Sequence, residues 1–261
     1  MFSPLMAHTW VAASIVAVVA GLAGFFTVLR GSAFVAHALP NGAFAGAAGA
    51  AVVGTSTLLG LGVFSVAGAL AIAALGRRAR HDVATALTIV GMLALGSLFI
   101  SINGGYAAAL YGLLFGQLFG VSFDSLVATA AMGLASAALL AVMYRPLILS
   151  SLVPDVAASR GVRPTLVEAA FLVVVALVTT MAVPIVGALL IFTLLISPAA
   201  AARCLTDRPG RALALGVAFA LVSVWLSVAV GYLTGLPVGF VVGGFGAVLY
   251  AGARLVAMGR R

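Results

Sequence analysis

The sequence predicts an all-α, polytopic transmembrane helical bundle, and two observations carry that expectation. Of 261 residues, 64% are hydrophobic and only 7% are charged, with a mean hydropathy of +1.31. Apolar runs long enough to span a bilayer also recur along the whole chain. A soluble domain carries roughly 25% charged residues. So few charges could not cover a water-facing surface, so lipid is the expected solvent.

The elements follow from where the apolar runs break, given that a span needs about 20 residues. Breaks fall at Arg30, at Gly54-Thr55-Ser56, at Arg77-Arg78-Ala79-Arg80 and at Asn103-Gly104-Gly105. Further breaks fall at Val121-Ser122-Phe123-Asp124, across Arg145 to Pro164, near Pro184, across Arg203 to Arg211, and at Gly235-Leu236-Pro237. Nine spans result, at 9–29, 33–53, 56–75, 84–102, 122–144, 165–184, 186–204, 211–232 and 237–256. The segment from Gly104 to Gly120 is short and Gly-rich. It is expected to be an extracytoplasmic or re-entrant half-helix, which is tolerable only where other helices bury it. The first apolar run, Trp10 to Leu29, lacks the basic flank of a cleaved signal peptide and is expected to be retained. With no linker and no repeat visible, residues 1–261 are expected to form a single domain.

The second span is almost all small residues. Gly42, Gly46, Ala50 and Gly54 recur every four positions, a smooth stripe for close helix approach inside a bundle.

The formal net charge of +8 comes from arginine alone, since the chain has no lysine. The arginines sit between apolar runs, where they read as topology signals rather than a nucleic-acid surface. With the N-terminus outside and the C-terminus inside, all 13 fall on the cytoplasmic side. Cys204 is the sole cysteine, so no internal disulfide can form.

The residues also limit what can drive such a protein. Ion-coupled carriers place an ionisable group in the membrane interior. Here Asp82, Asp124, Asp155, Glu168 and Asp207 all lie at or near predicted span ends. A phosphate-binding P-loop needs its lysine, which this chain lacks, so the chain is not expected to hydrolyse ATP itself and its energy should come from another subunit. No H-E-x-x-H motif, paired aspartate or workable Ser/His pair supports an intramembrane enzyme. The place to seek an energising partner is the stretch from Arg145 to Pro164. There Pro154-Asp155 can start a short helix, with aspartate as its cap, and Gly161 can end it. Such a helix would give a motor domain something to push against; the alternative is an ordinary interfacial loop.

Five stretches in consistent order resemble the manganese/zinc/iron permease family of bacterial ABC importers. They are Gly24-Phe25-Phe26-Thr27-Val28-Leu29-Arg30; Leu114-Phe115-Gly116 with Val121-Ser122-Phe123-Asp124; and Pro154-Asp155-x-Ala157-x-x-x-Gly161. The others are Val186-Gly187-Ala188-Leu189-Leu190 through Ile196-Ser197-Pro198-Ala199-Ala200-Ala201-Ala202, and Tyr232-Leu233-x-x-Leu236-Pro237-Val238-Gly239. The resemblance implies a multi-pass permease of the bacterial plasma membrane that forms a homodimer. It implies two cytoplasmic ATP-binding-cassette subunits and an extracytoplasmic metal-binding protein delivering Mn, Zn or Fe. The chain itself would hold no cofactor and catalyse no reaction; its zinc or manganese is cargo. Pro154, Asp155, Ala157, Gly161 and Arg163 would belong to the ATPase-coupling loop, about 146–164.

Members of that family commonly carry an Asp and a His four residues apart in the second span. His37 and Asn41 stand at those two positions, on one helical face. A neutral imidazole and an amide would make a weak, transient site, with imidazole suiting zinc better than manganese. The alternative is that His37 packs against a neighbouring helix. The family's acidic residue before the last outer turn is absent from Thr234-Gly235-Leu236. Asp124 would either attract cations at an outer mouth or cap the following helix. His8 and His81 are expected to be a surface residue and a solvated loop residue. The changed His37/Asn41 pair keeps open a permease of the same architecture for a non-metal solute. A stand-alone channel or secondary transporter is the other alternative.

Overall fold

A computed structural model of the chain describes residues 4–77, 80–102, 112–116, 120–236 and 238–259. Every long element among them is an α-helix: α1 (Pro4–Leu29), α2 (Ala33–Val53), α3 (Thr57–Gly76), α4 (His81–Ile102) and α5 (Phe123–Leu152). There follow the short α6 (Pro154–Ser159), then α7 (Pro164–Val186), α8 (Ala188–Leu205), α9 (Pro209–Thr234) and α10 (Val238–Met258). Seven of these, α1, α3, α4, α5, α7, α9 and α10, are long and apolar enough to cross a membrane. Helix α2 is not among them, as it carries His37, Pro40, Asn41 and three glycines, and the apolar stretch of α8 covers only Leu190–Leu205. Leu134, Val142, Phe240 and Val248 are each at least 70% exposed. Apolar side chains that open to the surroundings suit hydrocarbon rather than water.

The chain divides into two compact units. The first holds residues 1–33, 112–133 and 181–261. In it α1 packs on α8 and α9, and α8 and α9 both pack on α10. These contacts require glycine: a Cβ at Gly24 of α1 would collide with the Leu195 carbonyl oxygen of α8, and one at Gly239 with the Leu190 side chain. The second unit holds residues 34–111 and 134–180. Here the predicted stripe on α2 meets two neighbours. Gly46 faces Gly60 of α3 backbone to backbone, Gly42 faces Met92 of α4, and Gly49 faces Phe99 of α4. Gly54 ends α2 at φ +75°, and Thr55 N–H donates to the Ala50 carbonyl at 2.9 Å. That left-handed stop is a glycine's role at a helix C-terminus.

Three expectations about where helices end need correction. The break placed near Pro184 lies at Gly187, which has φ +94°; Pro184 is inside α7. The break expected across Arg145 to Pro164 begins later than that, because α5 continues through Pro146 to Leu152. The first half of the expected 146–164 loop is therefore helix. Proline costs a backbone hydrogen bond, but inside a membrane bundle neighbouring groups compensate and the helix persists. His81 is the first residue of α4, not a loop residue, and its Nδ1 lies 3.1 Å from Glu168 Oε1.

Several hydroxyls within the helices bond locally, whereas among the described residues Ser65 Oγ and Thr179 Oγ1 are buried with no hydrogen-bond partner. Thr27, Thr180 and Ser227 each donate to the carbonyl four residues earlier, at 2.9, 2.8 and 2.6 Å. Such a partner offsets the cost of burying a hydroxyl away from water. Arginines stand at helix ends or links, as with Arg30, Arg77, Arg80, Arg160, Arg163 and Arg208, although Arg145 lies within α5. Arg78, Arg260, Arg261, Pro237 and most of the Gly104–Gly120 segment lie outside the described residues.

Candidate functional site

His37 and Asn41 lie in the first half of α2, one turn apart. The imidazole is exposed and the amide half-buried. Asn41 Nδ2 donates to the His37 backbone carbonyl at 2.8 Å and sits 3.5 Å from His37 Nε2. The amide nitrogen is thus held on its own helix, leaving Oδ1 as the side chain's remaining acceptor atom. Pro40, between the two, has no N–H to offer the Ala36 carbonyl, so this turn is built around a missing helical hydrogen bond. The next residue, Gly42, takes the Met92 thioether against its backbone. Small residues therefore seat α2 closely, and the pair projects from an otherwise closely packed helix. Chemically the pair offers one nitrogen and one oxygen donor. Among the described residues, no group of three or more His, Cys, Asp and Glu could hold a metal ion.

Asp124 belongs to the other compact unit, where it is exposed in the first turn of α5. It is not the cap. Ser122 Oγ accepts from Ser125 N–H at 3.2 Å and donates to Ser125 Oγ at 2.9 Å. The carboxylate instead sits where the positive end of the helix dipole favours an anion. His8 is half-buried, with its ring centroid 6.1 Å from that of Phe123.

Three of the stretches singled out in sequence converge in the first unit. Residues 112–115 are helical. A Cβ at Gly116 would strike the Val186 backbone, while one at Gly187 would meet Phe115 and Gly116. Both glycines have positive φ, +77° and +94°, so two backbone breaks cross where no side chain fits. Beside the crossing is a cleft of about 550 Å³ lined by Met6, Phe115, Gly116, Val186, Tyr232 and Leu236, among others. Among the described residues, neither an imidazole nor a carboxylate lines it. This crossing was not legible from proline positions; the glycines themselves were the available signal.

Pro154, Asp155 and Ala157 lie in α6, and Gly161 and Arg163 follow it directly. Helix α6 starts with Pro154 as its first residue, after Val153, and no side chain caps it. Asp155 lies inside its first turn rather than before it. Ala157 is fully buried, whereas Pro154, Asp155, Gly161 and Arg163 are exposed. Gly161, at φ +75°, ends the helix, with Val162 N–H donating to the Ala157 carbonyl at 3.0 Å.

Together, the long apolar helices, glycine-seated contacts and exposed apolar exterior define a polytopic all-α membrane protein. The chain belongs to the ABC 3 transport family, whose sequence pattern matches residues 3–257. This makes it a multi-pass protein of the bacterial inner membrane and agrees with the five stretches that resemble metal-permease sequences. It is 30% identical over 229 residues to the manganese transport system membrane protein MntC of Halalkalibacterium halodurans, covering 85% of this chain and 78% of that one. It is 27% identical over 216 residues to the chelated iron transport system membrane protein YfeC of Yersinia pestis, covering 82% and 73%. The fold is similar to a chain of PsaBC from Streptococcus pneumoniae in complex with Fab. There the TM-score is 0.85 at 24% identity, covering 96% of this chain and 91% of that chain.

Proposed function

We propose that this chain is the membrane-spanning permease subunit of an ATP-binding-cassette importer for a divalent metal ion, manganese before zinc. The observation that carries the reading is the family match across residues 3–257, together with 30% identity to a manganese transport membrane protein. Residues 1–261 act as one permease domain that crosses the membrane nine times and pairs with a second copy. An extracytoplasmic binding protein hands the ion over, and His37 and Asn41 of each protomer touch it in passage. Separate ATPase subunits bind at α6 and its flanks and supply the energy. The chain hydrolyses nothing itself, consistent with the absence of lysine for a P-loop.

The test is ATP-driven manganese uptake by the complex in proteoliposomes. His37→Ala is expected to raise the manganese concentration for half-maximal uptake by roughly tenfold or more, since even outer-shell changes at metal sites cost that much. An unchanged dose-response would remove His37 from the path. ATP-driven flux of an organic solute with no response to manganese would favour the non-metal permease, a reading that the absence of a three-ligand cluster among the described residues keeps in view.

The orientation has its own test. With Cys204 replaced by Ser, a cysteine in place of Arg160 is expected to react with an impermeant maleimide only from the cytoplasmic side. One in place of Thr234 is expected to react only from outside. Labelling of both from one side would overturn the nine-span arrangement.

A further inference from the structure

Helix α6 is joined to α7 by a connection with little slack. Val162 N–H donates back to Ala157 in α6, and the Arg163 carbonyl accepts from Leu166 and Val167 N–H at 3.1 and 3.2 Å in α7. No residue between the two sets of bonds is left to absorb a displacement, so a push on α6 reaches the first turns of α7. There Glu168 lies 3.1 Å from His81, the first residue of α4. Nδ1 is the ring atom that faces the carboxylate, while His81 Nε2 is buried with no hydrogen-bond partner among the described residues. The ring's direct polar tie is therefore to α7, made from the very start of α4. At the other end of the route, α4 carries Met92 and Phe99, which pack on Gly42 and Gly49 of α2. Gly42 follows Asn41 directly. All of these residues belong to one compact unit.

We propose that the His81–Glu168 pair is the latch that carries displacement of α6 into α4, and through α4 to the helix bearing His37 and Asn41. The two are positioning residues: neither touches the ion. The arrangement is a contiguous physical network of rigid helices joined by discrete contacts, the kind able to carry coupling between separated sites. The assignment rests on the importer reading, and it predicts a change in coupling rather than in assembly.

The experiment measures ATP hydrolysed per manganese ion taken up by the wild-type complex and by His81→Ala, Glu168→Met and the double variant, at matched amounts of assembled complex. Each single variant is expected to raise that ratio by roughly two- to tenfold, and the double variant by no more than either single one. His81→Asn, whose amide NH2 can take the place of Nδ1 facing the carboxylate, is expected to restore most of the coupling. A purely structural role would lower assembly and leave the ratio alone. Glu168→Met keeps about the length of the side chain and gives up the carboxylate oxygens, so it reports even if His81→Ala fails to assemble. Wild-type uptake with unchanged ratios in the variants would overturn the latch alone. No ATP-driven uptake by the wild type would overturn the importer reading, and the latch with it.

Discussion

Removing residues 154–161 is expected to release the ATPase subunits while leaving the permease folded. The segment can be lost cleanly because both neighbours complete their own hydrogen bonding. Val153 N–H closes α5 on the Leu149 carbonyl at 2.9 Å, and the Arg163 carbonyl opens α7. What disappears is a six-residue helix with one buried anchor, Ala157, and an exposed face carrying Asp155, Val156 and Arg160. A docking helix concentrates binding energy in a few central residues, so deleting it should weaken association by about 100-fold or more. Co-purification of ATPase with permease in nanodiscs reads the effect, and the melting temperature of the permease alone is the control. Undiminished association would show that the ATPase grips another part of the cytoplasmic face.

The fold was legible where lipid makes simple demands. Helix α2 was expected over 33–53 and runs Ala33–Val53, because its limits are set by Arg30-Gly31 and Gly54, and glycine stops a helix in lipid as in water. Prolines misled for the opposite reason. Pro146 and Pro184 read as breaks, yet α5 and α7 continue through both. Proline's missing donor is a local defect, and a bundle can tolerate it. The true break at Gly187 depends on φ +94° and on the facing backbone at Gly116, neither of which a linear reading supplies.

The candidate site was only partly legible. His37 and Asn41 share a face because an i, i+4 spacing requires it, and the Asn41 bond to the His37 carbonyl follows from that spacing. The His81–Glu168 pair joins residues far apart in sequence. No periodicity links them, and each alone reads as an ordinary charged end of a helix. Asp124 failed as a cap because Ser122 stood in the better position.

Gly46→Leu is expected to cause the largest loss of stability. On the facing side of Gly46 lies the Gly60 backbone, and the Phe64 Cβ is 2.6 Å from where a new Cβ would stand. Neither is the far end of a flexible side chain, so the only relief is to move α2 away from α3. Helices in a bilayer gain little from the hydrophobic effect and depend on close packing. Separation therefore forfeits most of what holds this pair. Overpacking of a well-filled site costs about 3 kcal/mol at its upper range, which for a chain of this size corresponds to a fall of roughly 6–12 °C in Tm. Gly91→Ala is the matched contrast: it is a helical glycine in α4 with nothing within 4 Å of an added Cβ. Replacing it should leave Tm unchanged or raise it by a few degrees, because alanine is the better helix former by about 1 kcal/mol. Tryptophan-fluorescence melting of both variants in one detergent separates the two effects. Equal melting temperatures would mean that the glycine stripe does not seat α2 on α3. If Gly46→Leu melts early, the same shift also moves the helix that carries His37 and Asn41. Manganese uptake at a temperature where the variant remains folded should then fall even though both side chains are intact.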